Sequence, residues 1–176
     1  MMEGSVFNME HAPPLVLGRN GALKHVEVFL NTACPYCVNF FLAAHEALMP
    51  RIELGEVKYT IKHYDKPKVR LLHGAIANLH IDYNEPERAY DLLLSLFRTQ
   101  QEWRLLDSGE IEKMMQQEYG CSEQRSTMNL SLDITKEALE RGITAVPTVF
   151  INDEKFAFES LGPAGDIAER LDWAID

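Results

Sequence analysis

His25-Val26-Glu27-Val28-Phe29-Leu30, then Asn31-Thr32-Ala33-Cys34-Pro35-Tyr36-Cys37, then Val38-Asn39-Phe40-Phe41-Leu42-Ala43-Ala44 is the stretch on which the fold turns. Its first six residues, β-branched and aromatic, read as a strand. Apolar groups fall on both faces, which suits a central strand covered on two sides. Pro35 sits where the first helical turn begins, and there its missing N–H costs nothing. The helix is expected to end near Met49-Pro50, because an interior proline breaks a helix. Val57-Lys58-Tyr59-Thr60-Ile61-Lys62-His63-Tyr64 alternates strongly and reads as a second strand. Strand, helix and strand in this order form a βαβ unit with a parallel pair.

Outward from this unit the chain divides into four parts. Residues 1–24 are an N-terminal arm with a short edge strand, Leu15-Val16-Leu17, closed by a Gly18-Arg19-Asn20-Gly21 turn. Residues 25–64 are the βαβ half. Residues 65–142 are helical: Leu71 to Leu79 is one candidate helix, and Ala89, Leu92, Leu93, Leu96 and Phe97 form the stripe of another. Ile111, Met114, Met115 and Tyr119 follow an Asp107-Ser108 start, and residues 124–141 make a further helix. Residues 143–176 return to strands. Ala145-Val146-Pro147-Thr148-Val149-Phe150-Ile151 and Lys155-Phe156-Ala157-Phe158 flank a polar Asn152-Asp153-Glu154 turn, a hairpin pattern. Ile167, Leu171, Ala174 and Ile175 then mark a surface helix, against which Phe156, Phe158 and Trp173 are expected to pack the hairpin. The class is α/β, with a helical insertion between a βαβ half and a ββα half.

Composition narrows the function. The chain has 176 residues, 46% of them hydrophobic, enough for a real core, and 17 basic against 27 acidic residues give a net charge of −10. That balance excludes a general nucleic-acid or anionic-membrane binder and disfavours a strongly acidic partner, while leaving room for a small local basic patch. No window approaches the length of a transmembrane helix. Residues 1–14 show no basic leader followed by an apolar run, so a cytoplasmic location is expected. Three cysteines do not staple a fold of this size.

Two of the three carry chemistry. Cys34 and Cys37 lie three apart at a strand–helix junction and can close a disulfide across the first helical turn. The leading thiol lies near unpaired backbone donors that favour negative charge. A lowered pKa makes it a thiolate, the species that attacks disulfides, and Cys37 is placed to resolve the mixed disulfide. No metal or organic cofactor is needed. The competing reading is a metal site, but there is a single CxxC, Cys121 is distant, and the histidines at 11, 25, 45, 63, 73 and 80 make no ligand pair beside it. Inert buried thiols are a third. Cys121 itself is expected to be a structural thiol, and Phe40, Phe41, Phe97 and Trp103 to be packing residues.

Pro14-Leu15-Val16-Leu17-Gly18, the strand and Cys34-Pro35-Tyr36-Cys37 together resemble the start of DsbA-like members of the thioredoxin superfamily. Gly142-Ile143-Thr144-Ala145-Val146-Pro147-Thr148-Val149-Phe150-Ile151-Asn152 resembles that family's cis-proline segment, and a helical insertion of similar size lies between the two. The resemblance spans roughly residues 14 to 175. It implies a thioredoxin fold and thiol–disulfide exchange with protein or small-thiol substrates, glutathione among them. It further implies that Cys34 attacks, Cys37 resolves, Pro147 is the cis-proline, and Val146 offers backbone groups to a bound peptide. Pro35 and Tyr36 then tune the thiolate.

One departure stands out. Many relatives place a buried carboxylate six residues before the first cysteine, where this chain has Val28. Glu27 is adjacent, but alternation directs it to the other sheet face. Two other functions remain open at this point: a glutathione-coupled disulfide reductase, and a non-catalytic module that binds peptides or a partner through the same groove.

Overall fold

Five strands form one mixed sheet in the order β1-β3-β2-β4-β5 in the computed structural model, which describes residues 10–158 and 162–176. Of the expected N-terminal arm, residues 1–9 lie outside the described residues. β1 (Leu15–Leu17) runs antiparallel to β3 (Val57–His63), which lies parallel to β2 (Lys24–Leu30). On the other side of β2 come β4 (Thr148–Ile151) and β5 (Glu154–Phe156), each antiparallel to its neighbour. The strand carrying the CxxC segment is therefore the middle one, covered on both faces as its apolar pattern requires.

Alternation sorts β2. Val26, Val28 and Leu30 point to one face, in register with Tyr59, Ile61 and His63 of β3. Glu27 and Phe29 point to the other. Helix α1 (Pro35–Glu53) follows β2 directly and packs along α7 (Ala164–Ile175) and β3, burying Phe40, Phe41, Ala44 and Leu48. α1 runs through Pro50 rather than ending there. The proline forfeits one helical hydrogen bond, but the last turn is secured by Leu54 N–H to the Pro50 carbonyl and by Arg51 pairing with Asp172 of α7 and with Asp176 just after it.

The inserted helices lie between β3 and β4: α2 (Leu72–Leu79), α3 (Pro86–Arg98), α4 (Gln100–Trp103), α5 (Ser108–Lys113) and α6 (Arg125–Glu140). The Leu92–Phe97 stripe docks α3 on α1, where Phe97 stacks on Phe41 at 4.5 Å. α5 opens with a capping box: Asp107 accepts from Glu110 N–H, and Glu110 accepts from Asp107 N–H. The final hairpin is tighter than its sequence suggests. β4 starts only at Thr148, and Asn152 and Asp153, at φ 49° and 68°, make the two-residue turn. Phe158 packs on Phe40, but Trp173 stays 72% exposed, with Arg170 stacked between it and Phe156. No helix among the described residues is long and apolar enough to cross a membrane.

The polar side of β2 is held by charge. Lys62 Nζ lies 2.7 Å from Glu27 and 2.7 Å from Glu137, and Arg141 reaches the same two carboxylates at 2.8 and 2.7 Å. Arg141 also lies over the Phe150 ring at 4.2 Å. Burial by itself would raise the Glu27 pKa, but hydrogen bonds from Arg141 and Lys62 outweigh it and hold the carboxyl below its usual value. That contribution is present above pH 4.5 and is lost as pH falls through the lower folded-state value. Glu27→Gln is expected to cost about 2–3 kcal/mol in urea unfolding at neutral pH. The deficit against wild type shrinks toward acid; one that is constant with pH would contradict this account of the cluster.

Candidate active site

The loop Asn31–Ala33 leaves the end of β2 and must bury its backbone before α1 begins, so each polar group there needs a partner. Asn31, fully buried, accepts from Ala33 N–H at 2.9 Å and donates through Nδ2 to the Tyr64 carbonyl at 3.2 Å. Thr32 N–H donates to His63 Nε2 at 3.1 Å. The other ring nitrogen, Nδ1, lies 2.8 Å from Asp65 Oδ1. From the insertion, Gln100 Nε2 donates to the Thr32 and Cys34 carbonyls at 2.6 and 3.0 Å. Gly74 of α2 lies so close that a Cβ there would meet Asn31 Oδ1 at 1.9 Å. The loop is thus clamped by the end of β3 on one side and by the inserted helices on the other.

Cys34 caps α1 in extended conformation, with Pro35 as the first helical residue. Both thiols of the pair are free, and Cys37 is completely buried. Their environments drive them apart. The Cys34 pKa falls to about 6, chiefly because the Cys37 thiol donates a hydrogen bond to its sulfur. Burial works against this; backbone donors of Cys37 and Tyr36 and the Arg104 charge add to the lowering. Burial pushes the Cys37 thiol well above its ordinary value, and the neighbouring Cys34 reinforces that. The site therefore presents one thiolate, backed by one protonated thiol.

Opposite Cys34 is the turn before β4. The Val146–Pro147 peptide bond is cis, and the Val146 carbonyl lies 3.6 Å from Cys34 Sγ, a hydrogen bond while that thiol keeps its proton. Cys34, Pro35, Tyr36 and Val146 line one cleft of about 570 Å³, with Cys37 behind it and Pro147 beside Val146. Tyr36 stands at the rim, 59% exposed. Val28 is buried in the sheet, while Glu27 on the opposite face is engaged by Lys62 and Arg141. Cys121 lies elsewhere, within the insertion beside Arg88. Among the described residues no group of three or more His, Cys, Asp or Glu could hold a metal ion.

Several residues of the site were not singled out by sequence. Gln100 and Arg104 belong to the insertion, and their approach to Cys34 is a tertiary event without a local pattern. Asn31-Thr32 did carry a signal: two polar residues directly after the apolar strand end Val28-Phe29-Leu30, and both are fully buried.

Residues 10–164 match the family model described as "Thioredoxin". No curated protein matches the sequence. Among solved structures, a conserved protein of unknown function from Enterococcus faecalis V583 is 29% identical, with a TM-score of 0.82 over 96% of this chain and 93% of that one. A putative protein-disulfide isomerase from Pseudomonas syringae is 19% identical, TM-score 0.66, covering 90% and 97%. Alpha-DsbA1 from Wolbachia pipientis is 17% identical, TM-score 0.65, covering 92% of each chain. The expectation of a cytoplasmic location is overturned by these matches: oxidoreductases of the DsbA and disulfide-isomerase kind are periplasmic or secreted. The composition of residues 1–14 is too weak a ground for assigning a compartment. By fold and by sequence, the chain belongs to the thioredoxin family, with the helical insertion of its DsbA-like members.

Proposed function

We propose that this protein is a thiol–disulfide oxidoreductase acting on protein or peptide thiols through Cys34 and Cys37. The observation that carries the proposal is the pair of free thiols at the start of α1, Cys34 in the cleft beside the Val146 carbonyl and Cys37 completely buried. The Cys34 thiolate attacks a substrate disulfide. The substrate S–S bond breaks, one substrate sulfur leaves as a thiolate and takes up a proton, and Cys34 is joined to the other. Cys37 then gives up its proton and attacks Cys34 Sγ, releasing the second substrate thiol and closing the Cys34–Cys37 disulfide. Two electrons pass to the substrate, and the reverse sequence oxidises a dithiol.

Pro35 and Tyr36 hold the backbone of the first helical turn, whose N–H groups face the thiolate. Val146, turned toward Cys34 ahead of the cis bond, offers an extended peptide a main-chain partner beside the reactive sulfur. The division into an arm (1–24), a βαβ half (25–64), an insertion (65–142) and a ββα half (143–176) assigns the nucleophile and the peptide-binding turn to different halves of the sheet. Glutathione is the small-thiol substrate that this chemistry also admits.

Alkylation of Cys34, followed in Cys121→Ser protein, should titrate with a midpoint near pH 6. A midpoint near 9 would contradict the proposed environment. Because this thiol ionises below its ordinary value, the reduced protein gains stability as pH rises from about 6 toward about 9, and loses it as pH falls through 6. Cys37→Ser should trap substrate as a mixed disulfide on Cys34, detectable by intact mass. Cys34→Ser should reduce disulfide turnover to background. Peptide binding that survives both substitutions, with no turnover in wild type, would instead identify a non-catalytic module.

A further inference from the structure

The chain carries a net charge of −10, yet the mouth of the Cys34 cleft is cationic. Lys66, Lys68, Arg70 and Arg104 line it, and no Asp or Glu does. The first three follow one another in the segment between β3 and α2, and Arg104 follows α4. Lys66 Nζ donates to the Thr144 carbonyl, joining that segment to the turn that carries Val146. Elsewhere Lys62, Arg51 and Arg141 each meet two or more carboxylates. Among the described residues, none of the four at the cleft forms an ion pair with a carboxylate. All four therefore ring the cleft that holds the reactive sulfur, without a carboxylate in its lining.

Arg104 already has a task, since its charge favours the Cys34 thiolate. Lys68 and Arg70, both exposed, are free to meet something brought from outside. The cleft beneath them is largely apolar, with Leu71 and Val146 in its wall. Val69 and Leu105, neighbours of Arg70 and Arg104 in the chain, are 92% and 86% exposed. A space of about 570 Å³ accommodates several side chains rather than a single small anion. We infer that Cys34 exchanges preferentially with a cysteine carried on an acidic peptide segment, with carboxylates flanking the cysteine to meet Lys68 and Arg70. This specificity rests on the disulfide exchange proposed above. The overall acidity of the protein, which disfavoured an acidic partner at the level of composition, is reversed at the one place where substrate enters.

The test is single-turnover reduction of matched peptide disulfides by the fully reduced protein, with Asp/Glu, Gln or Lys flanking the cysteine, and oxidised glutathione in parallel. The acidic peptide should react about tenfold faster than the neutral one, and the lysine peptide slower still. The spread should collapse at about 1 M salt, where the Debye length is about 3 Å. Lys68→Glu combined with Arg70→Glu should invert the order. The readout is a ratio among peptides within one protein, so a loss of active protein cancels. Equal rates for the three peptides, an unchanged order in the double variant, or a preference confined to glutathione would each overturn the inference while leaving disulfide exchange standing. No reaction with any of the four would overturn the exchange chemistry itself.

Discussion

The burial of the loop before Cys34 is the constraint on which the rest depends. A chain that leaves the middle strand of a sheet and turns into a helix has backbone donors and acceptors far from water, and an unpaired one is costly. Here the Asn31 N–H donates to Cys37 Sγ and its carbonyl accepts from Cys34 N–H, the Thr32 N–H donates to His63 at the end of β3, and the Thr32 carbonyl accepts from Gln100 of the insertion. The same contacts that remove the penalty fix the start of α1. They therefore also fix the position of the Cys34 sulfur relative to the Val146 carbonyl, which comes from the other end of the fold. The inserted helices are thus part of the active-site frame.

From that frame the chemistry follows. The two sulfurs differ in burial and in hydrogen bonding, so one ionises easily and the other keeps its proton. Neither Val28 nor Glu27 supplies a carboxylate to the buried thiol: one is apolar, and the other faces away into an ion cluster with Lys62, Glu137 and Arg141. Resolution by Cys37 is then controlled by its own burial, by Cys34, and by the Asn31 N–H that donates to its sulfur. The positive rim adds a second layer of control, over which substrates arrive.

Much of this was legible in the residues themselves. The β2–α1 junction, the hairpin and the amphipathic stripes of α3 and α7 follow from local periodicity and from Pro35, because each concerns neighbours in sequence. Pro50 misled, because its local cost is overcome by tertiary anchoring of the last turn of α1 on α7. Trp173 misled for a related reason: it occupies the helix face opposite Ile167 and Leu171, and an arginine, Arg170, bridges the aromatic groups instead. The Asn31–Thr32–His63–Gln100 clamp and the four cations at the cleft draw on segments more than thirty residues apart. Composition pointed away from the latter, since a net charge says nothing about where the minority sign collects.

The redox equilibrium of the Cys34–Cys37 pair in glutathione buffers, read by alkylation and intact mass in Cys121→Ser protein, tests the central claim most directly. The account predicts one reversible two-electron transition in which both thiols become protected together, with a midpoint between about −270 and −120 mV. Thiols that are modified independently, or that never form the intramolecular disulfide across this range, would contradict it.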